Sequence, residues 1–445
     1  MNNYMIVPTN TDLNRGDQAL VWESIKIIKE IDSEADFRLI NTGETEEEKT
    51  KQSFQSRKMG YEFVSPLIKH PGRGEKEKNN QYYSKYQYVS WGIQAIADAA
   101  PRLLLLSKNK MLNRLALKIL PKDFLETYVI FKESKAVIFK GGGFIHSYGS
   151  ITDPYIMFFL LYYAMLAKKH NISVIFMPNS FGPFKNKWAT KLVKRVLSKV
   201  DVITVREKIS QTVLSDLLSD NIPFYPDLGF FMEPDHSFEV DNYLENKNIL
   251  KYNKKVGITV RPYRFDGHPN PKKAYQNYID SFVTFINYLT EKGYFPILIA
   301  QTMGPSYNED DNEAINLIAS QINDKGSFSI ISDLALNAKE IKKIYASMDY
   351  VVGTRFHSVI FSLSSEVPSI AVSYGGNKGK GIMKELGLDD YEISIENLSS
   401  DFLIEKFKSM EINKDKYITT LRIKMNEYLK LREQLKKEIK SYIHN

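Results

Sequence analysis

The sequence predicts an α/β protein built from two Rossmann-like, doubly wound domains that face a cleft, followed by a C-terminal helical tail. Three observations predict it. Ten short runs of β-branched or apolar residues alternate with stretches of helical period, the pattern of parallel strands covered on both faces by helices. Ten strands exceed one ordinary open sheet, so they divide into two halves. A polar stretch at 233–253 without a strand-like run separates five of them from the other five. The 445 residues, 43% hydrophobic and 25% charged, are enough for more than one core.

In the first half the strand-like runs are 4–8, 37–41, 136–140, 173–178 and 202–206, with helical stretches at 153–169 and 187–199. In the second half they are 255–262, 295–300, 327–332, 350–354 and 369–374, with helical stretches at 272–292 and 309–323. This gives an N-terminal domain over 1–240, a C-terminal domain over 250–400 and a tail over 401–445. The tail repeats Ile418, Leu421, Met425, Tyr428, Leu431, Leu435 and Ile439 at helical spacing. It reads as a helix packing across both domains or binding a partner. The acidic stretch 43–58 reads as a solvated loop or helix start. The N-terminal domain carries a helical insertion over 61–135. Within it, residues 101–122 hold six basic residues and no acidic one. Lys110, Arg114, Lys118 and Lys122 recur every four residues beside Met111, Leu112, Leu115 and Ile119. That is a basic amphipathic helix, open to two readings: a solvated face, or peripheral membrane contact.

Composition excludes several classes. Sixty basic and 53 acidic residues give a net charge of +7, without the interleaved basic and aromatic cluster of a nucleic-acid partner. The absence of cysteine removes disulfides, thiolate nucleophiles and cysteine metal sites. The seven histidines show no His-x-x-His or His-Glu-x-x-His spacing, so no metal is expected. No Walker A loop, Gly-x-Gly-x-x-Gly fingerprint or Gly-x-Ser-x-Gly elbow is present. The first eight residues lack the features of a signal peptide, and no apolar run has spanning length. The expected location is cytoplasmic, with the inner membrane face as an open option.

Candidate site residues cluster at the carboxyl ends of the predicted strands, where doubly wound sheets bind ligands. Asn14-Arg15-Gly16-Asp17 opens the first helix; Asp17 reads either as a helix cap or as a partner for sugar hydroxyls. Gly141-Gly142-Gly143, ahead of His146, permits close backbone approach. Asn179 and Ser180 stand in a loop stiffened by Pro178, Gly182 and Pro183. Arg206 ends an apolar strand. The strongest stretch is Gly353-Thr354-Arg355-Phe356-His357-Ser358. It brings a guanidinium fork and a group titrating near neutrality to a helix N-terminus. Lys378 and Lys380 follow in a glycine-rich turn after the next strand. Together these residues suit an anionic substrate with an acid–base group beside it.

In order along residues 4–390, the chain resembles the polysaccharide pyruvyl transferase family. The match rests on Asn14-x-Gly16-Asp17, the glycines 141–143, Asn179-Ser180-Phe181-Gly182-Pro183-Phe184, Val205-Arg206-x-x-x-Ser210 and Pro226-Asp227-Leu228. It continues through Ala300-Gln301, Gly353-Thr354-Arg355-Phe356-His357-Ser358, and Tyr374 with Lys378-x-x-Gly381-Ile382-Met383. Asn179 stands where the family usually has Gln, and the insertion at 61–135 is long. The resemblance implies a fold similar to GT-B glycosyltransferases. It also implies transfer of a pyruvyl group from phosphoenolpyruvate, without a cofactor, to two hydroxyls of a sugar in a capsule, exopolysaccharide or cell-wall precursor. The family's catalytic His, Arg and Lys map onto His357, Arg206 and Lys378. Arg355, Lys378, Lys380 and Ser358 are then expected to bind the donor. Asp17, Gly142, Gly143, His146, Asn179 and Ser180 are expected to hold the saccharide acceptor, which could be lipid-linked. A nucleotide-sugar glycosyltransferase and a non-catalytic polysaccharide-binding protein remain alternatives on the same fold. The acceptor sugar and the oligomeric state are left open.

Overall fold

A computed structural model describes residues 2–7, 11–69, 85–375 and 378–443; the side chains of residues 85, 87, 88 and 378 fall outside that description. Two parallel sheets with flanking helices make up the chain. The first is built from β1 (Asn2–Val7), β2 (Ala35–Ile40), β3 (Glu62–Val64), β4 (Ala136–Phe139), β5 (Gly142–Ser147), β6 (Ser173–Phe184) and β7 (Val202–Val205). Its order is β3-β2-β1-β4-β6-β5, with β7 also paired to β6. The helices along this part are α1 (Arg15–Ile31), α2 (Glu46–Lys58), α3 (Lys85–Leu106), α4 (Lys110–Ile119), α5 (Lys122–Lys132), α6 (Asp153–Lys169), α7 (Lys187–Leu197) and α8 (Lys208–Leu218). Continuous burial explains the parallel arrangement: every residue of β4 is buried, as a sheet covered on both faces requires. Phe139 and Phe176 face each other across β4 and β6, their rings stacked 4.0 Å apart.

The second sheet holds β8 (Lys255–Thr259), β9 (Phe295–Ile299), β10 (Ser329–Ile331), β11 (Tyr350–Gly353), β12 (Ser369–Ser373) and β13 (Glu392–Ser394). Its order is β10-β9-β8-β11-β12-β13, the arrangement in which strand order reverses between β8 and β11 and ligands bind at the carboxyl ends of those two strands. Its helices are α9 (Val240–Asn246), α10 (Pro271–Glu291), α11 (Asp311–Gln321), α12 (Ala338–Ala346), α13 (Phe356–Leu363), α14 (Lys378–Glu385), α15 (Ser400–Ile412) and α16 (Lys414–Ile443).

The chain divides into two units: Met1–Asp12, Leu20–Asp227 and Leu431–Asn445 form the first, and Leu13–Ala19 with Leu228–Lys430 the second. The division falls before the polar 233–253 stretch because residues 228–232 are anchored to the second unit. Phe230 packs edge-on against Tyr428, 5.2 Å between centroids, and the Lys342 ammonium reaches the Met232 carbonyl. The 401–445 stretch is not set apart; its two helices count with the units, and α16 changes unit at Leu431. The predicted apolar stripe of α16 is seen in the burial of Leu421, Tyr428, Leu435 and Ile439.

Two local expectations change. The loop expected around Asn179 and Ser180 is instead part of β6, which runs on to Phe184 and pairs with β5. The single basic helix ends at Ile119, and Lys122 opens α5, so it does not share the face of Lys110, Arg114 and Lys118. Pro121 is the reason: it lacks the N–H that a continuing helix needs, and its ring clashes with the preceding turn.

Candidate active site

The second unit gathers its polar groups where β8 and β11 end. Arg355 follows β11 and is the N-cap residue of α13. It is buried, and its Nε donates to Asp311 Oδ1 at 2.7 Å. Asp311 begins α11 and is fully buried. Its other oxygen accepts the backbone N–H of Gln301 (3.0 Å) and of Thr302 (2.9 Å). The carboxylate is thus pinned, and it holds one edge of the guanidinium. Arg355 Nη2 has no hydrogen-bond partner among the described residues, and neither do Gln301 Nε2 and Thr302 Oγ1 nearby. Burial works against the charge of Arg355, but Asp311, Tyr374 and Glu309 outweigh it and hold the group firmly cationic.

Arg261, two residues past β8, brings a second guanidinium, with its centre 4.2 Å from the centroid of the Tyr374 ring. Glu309 is half-buried, and burial pushes its carboxyl above the usual range; Asp17 adds to the shift, while Arg355 and Arg261 oppose it. The cluster is therefore mixed in sign: two guanidiniums among three carboxyl groups.

His357 sits in the first turn of α13, half-buried, its ring 6.3 Å from Phe361. It lies directly against Gly16: a Cβ built at position 16 would overlap the imidazole. This explains the glycine, since any side chain there would displace the histidine. The 13–19 loop is fastened to the same unit. Arg15 Nη2 donates to Asp333 O at 2.8 Å and its Nε to Leu336 O at 3.2 Å. Met303 N donates to Leu13 O at 2.9 Å, and Ala338 N to Gln18 Oε1 at 2.6 Å. Asn14, rather than Asp17, caps α1: its Oδ1 accepts from Gly16 N (3.0 Å) and Asp17 N (3.3 Å). Asp17 in turn accepts from Asn14 Nδ2 at 3.0 Å.

The first unit holds a separate cluster. Arg206 follows β7 and is buried. Its Nη1 donates to Asp227 Oδ2 at 2.6 Å and its Nε to Ser180 Oγ at 2.8 Å. Ser180 passes a hydrogen bond on to Glu207 Oε2 at 2.9 Å. Asn179 donates from Nδ2 to the carbonyls of Lys140 (3.1 Å) and Met177 (2.9 Å). Arg206 Nη2 and Asn179 Oδ1 are left without partners among the described residues. A Cβ at Gly143 would come within 2.9 Å of that same Nη2, so the glycine leaves room for the guanidinium edge. His146 on β5 meets Tyr148 edge-on at 4.9 Å, and burial holds its imidazole below the usual value.

Of the sequence-predicted residues, Arg355 and His357 come together in the second unit, and Asp17 joins them there instead of standing with the first-unit residues. Arg206, Gly142, Gly143, Asn179, Ser180 and His146 belong to the first unit, whereas Arg355, Ser358 and Lys380, expected to bind the donor, belong to the second. Ser358 is buried; its hydroxyl donates to Arg355 O (2.6 Å) and pairs with Thr259 Oγ1 (2.8 Å). These bonds tie the Arg355 backbone to the end of β8. Lys380 is exposed and lines, with Tyr374, Glu392, Phe402 and Lys406, a pocket of about 470 Å³. The side chain of Lys378 lies outside the described residues. Sequence reasoning missed Arg261 and Asp311. Arg261 carried a usable signal, the same strand-end arginine that marks Arg206 and Arg355.

The family described as polysaccharide pyruvyl transferase matches residues 14–376. The amylovoran biosynthesis protein AmsJ of Erwinia amylovora is 27% identical over 286 residues, 62% of this chain. The match spans 65% of that relative's length, just under two thirds. Among solved structures, the UDP-GlcNAc 2-epimerase of Methanocaldococcus jannaschii superposes with a TM-score of 0.51 at 10% identity over 92% of each chain. Phytolacca americana UGT2, solved with UDP-2-fluoroglucose and pterostilbene, gives 0.53 at 10% identity over 100% of both chains. At such identities these likenesses bear on the fold alone, and they make it GT-B-like.

Proposed function

The chain belongs to the polysaccharide pyruvyl transferase family, and we propose that it moves the pyruvyl group of phosphoenolpyruvate onto two hydroxyls of one sugar in a surface-polysaccharide precursor, forming a cyclic ketal. The supporting observation is the pairing, at one helix N-terminus, of His357 with a buried arginine whose Nη2 has no hydrogen-bond partner among the described residues. The donor carries a phosphate and a carboxylate, and each matches a planar guanidinium fork. Arg355 and Arg261 are the groups assigned to them, with Lys378 and Lys380 as further cations.

In this reading His357 protonates the methylene carbon of the donor, which makes C2 electrophilic. One sugar hydroxyl adds to C2. The C2–O bond to phosphate then breaks, and the cationic groups stabilise the charge that develops on the leaving oxygen. The second hydroxyl closes the ring. Of the two hydroxyl protons, one replaces the proton His357 gave to the new methyl group, and the other ends on inorganic phosphate. Arg206, Asn179, Ser180, Gly142, Gly143 and His146 are assigned to the acceptor, as groups that offer hydrogen bonds to a saccharide.

Calorimetric titration tests the donor half. Phosphoenolpyruvate should bind the wild-type chain, bind at least about tenfold more weakly to Arg261→Ala, the loss of one charged hydrogen-bonding group, and still bind His357→Asn. Binding of a nucleotide sugar in place of phosphoenolpyruvate would move the protein to the glycosyltransferase reading.

A further inference from the structure

Helices α3 and α4 present a surface that the proposed chemistry does not use. Between residues 89 and 103 of α3, no exposed position carries a polar side chain. Val89, Ile93, Ile96, Ala100 and Leu103 recur at three- and four-residue spacing along this outward face. Ile93 is 66% exposed and Ile96 72%. A water-facing helix normally turns a charged face outward; α3 does the reverse. On α4 the exposed residues pair a base with a hydrophobe every four positions: Lys110 with Met111, Arg114 with Leu115, Lys118 with Ile119. Met111 is 79% exposed. Lys108 is exposed in the short connection between the helices. The acid within 86–121, Asp98, is half-buried and is paired with Arg102 at 3.7 Å.

We propose that the α3–α4 face docks the protein on a bilayer containing anionic lipid, with the aliphatic side chains entering the interface and the α4 bases resting on the headgroups. Side-by-side apolar and basic stripes are what an interfacial helix requires, and each base near an anionic leaflet strengthens attachment roughly fivefold. Charge selects this occupant over a second copy of the chain. A two-fold dimer through this face would set the same positive patch against itself. The attachment is peripheral, since no helix among the described residues is long and apolar enough to cross a membrane. It does not depend on the chemistry proposed for the site.

Co-sedimentation of the full chain with vesicles of phosphatidylcholine containing one-third phosphatidylglycerol tests the surface. The wild type should pellet with these vesicles and only weakly with phosphatidylcholine alone. Lys110→Gln/Arg114→Gln/Lys118→Gln should bind about 100-fold more weakly, and Ile93→Ser/Ile96→Ser should also lose the pellet. Both variants should melt within about 2 °C of wild type, as substitutions at exposed positions do. Three results would overturn the proposal. The wild type could stay in the supernatant, or both variants could bind as wild type does. A dimer in solution that Ile93→Ser/Ile96→Ser turns into a monomer would assign the face to a second copy instead.

Discussion

Each unit buries one arginine at the end of a strand and clamps it with a carboxylate. Arg206 meets Asp227 at 2.6 Å and Arg355 meets Asp311 at 2.7 Å. In both, Nη2 is left without a hydrogen-bond partner among the described residues. The device has the same logic twice: the carboxylate compensates the buried charge and fixes the plane of the guanidinium, so that the remaining edge keeps one direction. The surroundings differ. Arg206 is enclosed by Ser180, by a second buried carboxylate, Glu207, 4.0 Å from its Nε, and by a glycine that leaves room for its Nη2. Arg355 stands beside a histidine, a second arginine and a half-buried carboxyl. Under the proposed assignment the same clamp serves the acceptor's hydroxyls in one unit and the donor's anionic groups and proton transfer in the other.

The largest effect expected from this contrast is on turnover. His357→Asn should lower release of phosphate from phosphoenolpyruvate, assayed with extracted glycan precursors, by about 10²–10⁴-fold, the usual contribution of a general acid. Its melting temperature should stay near that of wild type. His146→Asn, in the hydroxyl-binding cluster, should cost about tenfold or less, the loss of one neutral hydrogen bond. Equal losses at the two histidines would erase the assignment of acid–base work to the second unit.

Removing either clamp tests whether the two arginines are equally buried in energetic terms. Asp311→Ala and Asp227→Ala each break a buried pair, leaving Glu309 as the remaining carboxyl for Arg355 and Glu207 for Arg206, and each should destabilise by up to about 3–5 kcal/mol in urea unfolding. A small loss at one of them would mark that site as open to water. At the glycines, Gly16→Ala should cost about 1–3 kcal/mol through overpacking, and it should depress turnover by displacing His357. Gly143→Ala, at an exposed position whose Cβ would crowd Arg206 Nη2, should leave phosphoenolpyruvate binding unchanged in calorimetry.

The sequence reveals the parts of this contrast that are continuous in the chain. Buried strands such as β4 and β9 read directly as apolar runs, and Arg355 with His357 sits in one short stretch at a strand end. What the sequence hides is whatever depends on a contact between distant segments. Asp311 lies 44 residues from Arg355, and its neighbour Asp310 makes the pair look like an ordinary solvated helix start. Nothing local in Asn14-x-Gly16-Asp17 says that a histidine ring rests on the glycine, so the loop reads as part of the first half. Strand β5 begins in glycines, which carry no strand preference. Periodicity also gives a stripe without saying whether core or solvent faces it, which is why the α3 surface is invisible until the fold is known. The end of α4 is a different case: Pro121 carries the signal in plain view.

The smallest expected effect opposes two carboxyls, one in each unit. Glu30 in the first unit accepts from Arg432 at 2.7 and 2.9 Å and lies 2.8 Å from Lys436 Nζ. The hydrogen bond from Arg432 leads in pulling its carboxyl down to about 2 from 4.5. A depressed carboxylate stabilises the fold above its unfolded value, near pH 4.5, and that contribution disappears as the pH falls towards 2. Glu309 in the second unit is shifted the opposite way, chiefly by burial. Its ionised form costs stability near neutrality, and the cost is relieved as the pH falls to 4.5. Glu30→Gln should therefore be less stable than wild type at pH 7, by about 1 kcal/mol after solvent screening, with the gap closing below pH 4.5. Glu309→Gln should be more stable than wild type at pH 7, with its gap closing by pH 4.5. Urea unfolding of the three proteins at pH 7, 4.5 and 3 reads both signs. Gaps of the same sign at pH 7 would mean that Glu309 is held by its arginines as Glu30 is, and the second site would then be an ion-pair network without a carboxyl poised to take a proton.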